Sequence, residues 1–218
     1  MAVAPRHSGP AEDPRAQEIL SRIKGVFSQK GFDGASMQAL ARAAGMSAGN
    51  FYRYFPSKNA IIEAMVAFDL ADIEREFAAV MSSPDPVAAL RAGIASHMEA
   101  KDGEDGALWA EIEAAAARRP EIAAVSGRLQ SQVGSHLVRV FARISGVPEA
   151  EAAVRFAPHA ALFMILIKGT VIGTCGQDGP AGPVPTPDLR ALVMRMIDFL
   201  IDEIAGARSP AAPGGLPA

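Results

Sequence analysis

Four side chains near residue 55 of this 218-residue chain combine hydrogen-bond donors with positive charge. The segment from Asn50 to Lys58 reads N-F-Y-R-Y-F-P-S-K and holds Tyr52, Arg53 and Tyr54 within three positions. Tyrosine hydroxyls, guanidinium and ammonium groups all donate to phosphate oxygens, and a guanidinium can also bind two acceptors on the edge of guanine. The chemistry on offer is therefore recognition of a nucleic-acid duplex.

Helical spacing separates this stretch into two faces. Phe51 and Phe55 lie four residues apart and are expected to point inward together. The opposite face is small at its start and polar at its end; it comprises Ala48, Gly49, Tyr52 and Arg53. A helix of that shape can enter the major groove, because its narrow end lets the backbone approach the bases.

The preceding segments supply a scaffold for this short helix. Residues 15–30 carry apolar side chains at one-face helical spacing, and Gly31 to Gly34 should end that helix. Ser36 can cap a second helix, and Gly45 provides a turn before Ser47 caps the third. The pattern predicts a helix-turn-helix domain.

The run A-S-M-Q-A-L-A-R-A-A-G-M-S-A-G-N-F-Y-R-Y-F-P-S-K, residues 35–58, resembles the N-terminal domain of TetR-type transcriptional regulators. The resemblance extends over roughly residues 15–62. It implies a homodimer and DNA contacts from one set of side chains: Ser36, Gln38, Asn50, Tyr52, Arg53, Tyr54 and Lys58. Ala48 and Gly49 would lie beside them, although Ala48 stands where the family often has lysine.

Composition and charge agree with an all-α regulator of that kind. Half of the residues are hydrophobic and 6% are aromatic, and alanine-rich segments favour helices over strands. Residues 1–60 hold eight basic and four acidic side chains, whereas the rest of the chain holds thirteen and twenty. This basic N-terminal part should attract a polyanion.

The periodicity predicts about nine helices, including a single one from Glu149 to about Ile172. We expect a flexible tail over 1–14, a DNA-binding domain over 15–60, an effector-binding and dimerisation domain over 61–206, and a second tail over 207–218.

Other chemistry is poorly represented. Phosphate-binding loops, nucleophile motifs and clusters of metal-ligating residues are missing from the sequence, so we expect no enzyme, cofactor or metal site. The single cysteine, Cys175, fits a reducing compartment. The N-terminus lacks the apolar run of a secretory signal, and the apolar run 160–167 is too short to span a bilayer; we expect a cytoplasmic protein.

The resemblance implies a small-molecule site in the body of the protein, the expected domain over residues 61–206. Trp109, large and next to carboxylates, is its strongest candidate. Each other candidate, taken singly, is more easily explained as core; they are Met65, Phe68, Met98, Glu113, His136, His159 and Phe163. The many small residues favour a mainly apolar ligand.

Residues 157–172 are apolar nearly all round, and residues 188–205 carry a wide apolar stripe. Helices of this kind must be covered on several sides. We expect both to form the dimer interface, with Ile197 and Leu200 facing the partner. An alternative for the whole chain is a TetR-type regulator that answers to a protein partner or to no ligand.

Overall fold

The computed structural model describes residues 13–100, 104–173 and 186–207, and those ranges are helical, with no β-strand. The all-α fold is therefore confirmed. Ten helices follow in chain order: α1 Pro14–Gly34, α2 Met37–Ala43, α3 Ala48–Tyr54, α4 Lys58–Ser82, α5 Pro86–Ala100, α6 Glu104–Ala116, α7 Pro120–Ser145, α8 Glu149–Arg155, α9 Ala157–Gly173 and α10 Thr186–Gly206.

Side-chain caps set the starts of the N-terminal helices. The Asp13 carboxylate accepts the Arg15 N–H at 2.9 Å, and the Ser36 and Ser57 hydroxyls accept N–H groups three residues on, at 3.2 and 3.1 Å. Each cap satisfies a donor that the first helical turn leaves unpaired. Gly31, with φ +67°, interrupts α1 and turns the chain towards α2.

Residues 149–172 form two helices rather than the single one predicted. α8 ends at Arg155, Phe156 adopts φ −106° and ψ 6°, and α9 begins at Ala157. Pro158 explains the break, because proline lacks the N–H that a continuous helix would need and its ring would clash with the carbonyl of residue 154. The two helices meet at 63°.

Two hydrophobic cores hold the helices together. The first core contains residues of α1, α2, α3, the start of α4, α6 and the beginning of α7. It includes Phe27, Ile62 and Ile112. The second joins the end of α4 with α5, α7, α8, α9 and α10. Because α6 packs against α1, the first core extends across the expected domain boundary at residue 60.

Among the described residues, no single helix is both long enough and apolar enough to cross a membrane. The bent α8–α9 pair meets these two criteria only when its helices are taken together. Cys175 and most of both expected tails lie outside the described residues.

Candidate nucleic-acid interface and effector cavity

The short helix α3 has the two faces that its sequence predicts. Phe51 and Phe55 are buried, with ring centroids 5.7 Å apart. The turn before α3 passes through Gly45 at φ +68°, and the Ser47 hydroxyl accepts the Asn50 N–H at 3.4 Å. Two buried phenyl rings thus fix the rotation of α3 about its axis and leave its other face to solvent.

Eight of the nine predicted DNA-contact residues are exposed, six of them on α3 and two at the start of α2. Tyr52 is 46% exposed and Tyr54 37%. The remaining exposed members of the set are Ser36, Gln38, Ala48, Gly49, Asn50 and Arg53. A Cβ built on Gly49 would meet nothing within 4 Å, so the start of α3 is open to close approach.

Lys58 is placed differently, because its ammonium group is bonded within the protein. Nζ donates to the carbonyl oxygens of Phe32 at 2.7 Å and Asp33 at 3.3 Å, and it lies 4.8 Å from the centroid of the Phe32 ring. These contacts fasten the start of α4 to the last residues of α1, which follow its interruption at Gly31. An ammonium group has three N–H donors, so the two carbonyls leave one for another acceptor.

Glu111 of α6 joins the body to the same segment. Its carboxylate accepts the Phe32 N–H at 3.2 Å, and a Cβ on Gly31 would lie 3.0 Å from that oxygen. Arg119 adds an ion pair with Asp33 and lies over the Phe32 ring. Nothing local in the sequence indicates these links, since their partners are about 80 residues apart.

A cavity of about 180 Å³ lies between α4, α5, α6, α7 and α9. Its wall is mostly apolar, with Ile73, Phe77, Ile94, Leu137 and Met164 among the lining residues. One polar cluster interrupts that wall. The Glu113 carboxylate lies 2.7 Å from Lys168 Nζ and accepts the Ser126 hydroxyl at 2.8 Å.

The structure brings two of the predicted effector residues to this cavity and places six elsewhere. Trp109 and Glu113 line it. Met65 and Phe68 belong to the first core, and Met98 and Phe163 to the second. His136 stacks on Phe77 at 5.2 Å, outside the lining, and His159 lies 3.6 Å from Glu203 on α10.

The residues of α4 that line the cavity were not predicted from the sequence; they are Asp69, Ile73, Glu76, Phe77 and Val80. Their spacing marks one helical face, but it does not reveal which turns of α4 meet a void. Among the described residues, no three His, Cys, Asp or Glu side chains cluster closely enough to hold a metal ion.

Residues 19–65 match the family model of bacterial regulatory proteins of the tetR family. The HTH-type transcriptional regulator UidR of Escherichia coli K12 is 32% identical over 114 residues, which are 51% of this chain and 57% of UidR. The regulator EthR of Mycolicibacterium smegmatis is 36% identical over 91 residues, 41% of this chain and 42% of EthR. The chain thus spans about half the length of these curated relatives.

Solved structures extend the likeness to the whole fold. Salmonella enterica GusR has a TM-score of 0.64 at 23% identity, covering 89% of this chain and 95% of its own. A transcriptional regulator from Rhodococcus sp. Rha1 has a TM-score of 0.65 at 19% identity, covering 93% and 100%. The family match itself covers residues 19–65, and these solved structures show that most of the chain shares their fold. These relatives are transcriptional regulators and not enzymes.

The last two helices of the protein carry an exposed apolar surface. Five large side chains of α9 and α10 are exposed: Leu162, Ile165, Leu192, Met196 and Phe199. Phe199 is 69% exposed and Ile165 66%. We call these five residues the α9–α10 face. Ile197 and Leu200 are not part of it, so their predicted partner-facing position is wrong: both are buried in the second core of their own protomer.

Ion pairs connect the cavity wall to α10. Arg91 of α5 donates to Asp198 at 2.7 Å and to Asp202 at 2.8 Å. The hydrogen bond to Asp198 raises the pKa of Arg91 above its ordinary value, so this guanidinium keeps its charge. α5, which lines the cavity through Leu90, Gly93, Ile94 and His97, is thereby tied to the helix that carries Phe199.

Proposed function

We propose that this protein is a homodimeric, sequence-specific DNA-binding transcriptional regulator, a repressor released by a small, mainly apolar effector. The observation that carries the proposal is the outward face of α3. Donor side chains and a small-residue start lie on a helix whose rotation is fixed by two buried phenyl rings. Action on genomic DNA would place the protein in the cytoplasm.

The contacts would divide into two kinds. Arg53 would read a guanine edge or bind a phosphate, whereas the Tyr52 and Tyr54 hydroxyls and the remaining Lys58 donor would bind phosphates and set the register. Ser36 and Gln38 would approach the DNA backbone from α2. Arg53→Ala should then cost roughly 1–3 kcal/mol on the preferred sequence and relax preference at particular base pairs.

Arg53→Lys separates the two possible roles of Arg53. A lysine keeps the charge but loses the two-pronged hydrogen bond, so it would restore phosphate binding and not guanine recognition. Fluorescence anisotropy with preferred and scrambled duplexes measures both. Arg139→Ala, an exposed position towards the C-terminal end of α7, is the matched control and should leave both affinities unchanged. Equal affinity of Arg53→Ala and the wild type for the preferred duplex would sink the α3 assignment.

A second copy of the chain would cover the α9–α10 face. Large apolar groups gathered on two adjacent helices favour association, because their removal from water is the main driving force for it. A twofold pair of protomers would present two α3 helices to a near-palindromic operator.

Release by an effector would depend on α6. This helix lines the cavity through Trp109 and Glu113, packs Ile112 into the first core, and holds the Gly31–Phe32 segment through Glu111. A ligand that favours one position of α6 would favour one orientation of the DNA-binding domain, and typical coupling of this kind is roughly 1–3 kcal/mol.

Regulation by a protein partner, or by no ligand, remains the alternative. It predicts that filling the cavity with a side chain changes neither DNA affinity nor its response to added compounds. Gly93→Leu, which would place a side chain at the open cavity wall, distinguishes the two, because under control by an effector it should abolish the response of DNA affinity to added compounds.

A further inference from the structure

A chain of hydrogen-bonding side chains from three helices interrupts the mostly apolar wall of the cavity. The Glu113 carboxylate of α6 accepts the Ser126 hydroxyl of α7 at 2.8 Å and lies 2.7 Å from Nζ of Lys168 on α9. The side-chain amide of Gln130 donates to the same hydroxyl at 3.4 Å. All four residues line the cavity. At one place in its wall the cavity therefore offers a ligand both a charged acceptor and a charged donor.

The Glu113–Lys168 pair keeps the capacity to bind a further group. Both contacts of the carboxylate fall on Oε1 of Glu113, so among the described residues Oε2 accepts no hydrogen bond. The Lys168 ammonium has three N–H donors, of which Glu113 takes one. The Glu113 and Lys168 side chains are 28% and 39% exposed, so neither is sealed off by protein. A ligand group that both donates and accepts would pair with the two side chains and leave their present bonds intact.

The same pair disfavours a charged ligand. Its two charges are only 2.7 Å apart, so a ligand ion that is attracted by one is repelled by the other. The other carboxylates of the lining, Asp69 and Glu76, have interaction partners of their own in the protein, and Glu76 lies 3.7 Å from His97. Neither is therefore an unpaired charge that requires a cation. A hydroxyl group is neutral and is donor and acceptor in one atom, so it suits both members of the pair.

Volume limits the size of the ligand. An apolar cavity of about 150 Å³ is enough for benzene, so about 180 Å³ admits one six-membered ring with a short chain. The apolar wall residues would cover the ring and the polar chain would fix its orientation, which is the usual division of roles in a small-molecule site.

The position of Glu113 connects this ligand to the DNA-binding domain. Glu111 and Glu113 are two residues apart on α6 and therefore point to different sides of the helix. Glu111 accepts the Phe32 N–H of α1 at 3.2 Å, whereas Glu113 lines the cavity. A hydroxyl bound to Glu113 would thus act on the helix that holds the end of α1.

We propose that the effector is a neutral alcohol or phenol with one six-membered ring, whose hydroxyl donates to the Glu113 carboxylate and accepts from Lys168 Nζ. This inference rests on the proposed function for its effect on DNA, whereas ligand binding itself is measured without DNA.

The test compares four probes with one ring and different polar ends: 2-cyclohexylethanol, its methyl ether, cyclohexylacetate and 2-cyclohexylethylamine. A saturated ring does not absorb where tryptophan does. Trp109, the only tryptophan and a lining residue, therefore reports binding by its fluorescence, with titration calorimetry as an independent readout. We expect the alcohol to bind roughly three- to tenfold more tightly than the ether, which accepts but does not donate, and more tightly than either ion.

Removing one member of the pair should change the preference in a defined direction. Glu113→Gln leaves the Lys168 ammonium without its counter-ion, so the alcohol and the ether should bind within about twofold of each other and cyclohexylacetate should gain about fivefold relative to the alcohol. Lys168→Met leaves the carboxylate alone, so the amine should gain instead. Glu151→Gln breaks an ion pair with Arg155 outside the cavity lining and, as the matched control, should keep the wild-type order. Melting curves check that each variant is folded.

Three results would overturn the proposal: tighter binding of the ether or of an ion than of the alcohol by the wild type, an order of probes that Glu113→Gln and Lys168→Met leave unchanged, or binding of none of the probes at about 1 mM. Failure of the proposed function looks different. A protein that prefers the alcohol yet binds no duplex specifically would contradict the regulator and leave the ligand class standing. Specific duplex binding without a preference for the alcohol would contradict the ligand class alone.

Discussion

Replacing Phe199 by glutamate should dissociate the dimer without unfolding the protomer. Phe199 is 69% exposed on the α9–α10 face, so in one protomer its ring contacts mostly water. Ile197, two residues earlier on the same helix, is fully buried in the second core. The two positions therefore separate association from folding within a single helix.

The size of the effect follows from the exposed area. A phenylalanine side chain buries about 150–250 Å², so 69% of it leaves roughly 100–170 Å² for a partner to cover. At about 25 cal/mol per Å² this corresponds to roughly 3–4 kcal/mol per protomer when burial is complete. Twofold symmetry doubles the loss to roughly 6–8 kcal/mol, and since about 1.4 kcal/mol is tenfold, the dissociation constant should rise by roughly four to six orders of magnitude.

Sedimentation velocity over a concentration series measures this change, with circular dichroism as the test of folding. We expect wild-type dimers at micromolar concentration and folded monomers of Phe199→Glu. Met81→Glu, an exposed apolar position at the end of α4 and away from the α9–α10 face, should remain dimeric. Ile197→Glu should unfold, because it places a charge in the core. Phe199→Glu dimers as tight as the wild type would refute the assigned interface.

Three further changes test the cavity and its links to the DNA-binding domain. Gly93→Leu should raise the melting temperature by about 2–4 °C, since glycine inside a helix costs about 1 kcal/mol. It should also abolish the binding of small apolar compounds, followed by quenching of Trp109 fluorescence, because a Cβ at this position points into open space at the cavity wall; unchanged binding would place the ligand elsewhere. Gly31→Ala should lower the free energy of unfolding in urea by about 1–2 kcal/mol, because φ is +67° and the new Cβ would lie 3.0 Å from the Glu111 carboxylate. Gly34→Ala, at negative φ, is the control and should not lower it. Glu111→Ala should leave the affinity for a compound bound in the cavity within about twofold while weakening the effect of that compound on DNA affinity, and full retention of the effect would remove α6 from the coupling.

The DNA-binding domain was predictable because its signals are local. Ser36, Gly45, Ser47 and the Phe51–Phe55 pair each act over a few residues, and the structure places them as expected. The break at Phe156 was not predicted, although Pro158 gave a local signal for it, because proline disrupts a continuous helix.

The faces of α10 were not predictable in the same way. One stripe, including Val193, Ile197 and Ile204, packs inside the protomer, while Met196 and Phe199 point outward. Both stripes are apolar, so periodicity merges them into one wide face. Only the packing of α10 on α7 and α9 separates residues that fold the protomer from those left for a partner.

The cavity depends on long-range packing as well. Met65 and Ile73 are two apolar residues of the same helix, yet the first belongs to the core shared with α6 and the second to the cavity. Which turn of α4 faces a void is decided by how α5 and α7 pack against it. A sequence pattern along α4 does not contain that information.

Selection of duplexes from a random library by the full-length protein tests the central claim most directly. We predict enrichment of one near-palindromic sequence whose half-sites lie about one helical turn apart or somewhat further, with enrichment lost in Arg53→Ala. Affinity for the selected duplex should fall steeply with salt while its preference over a scrambled duplex persists. Recovery of no common sequence, with equal binding to selected and scrambled duplexes, would contradict the account.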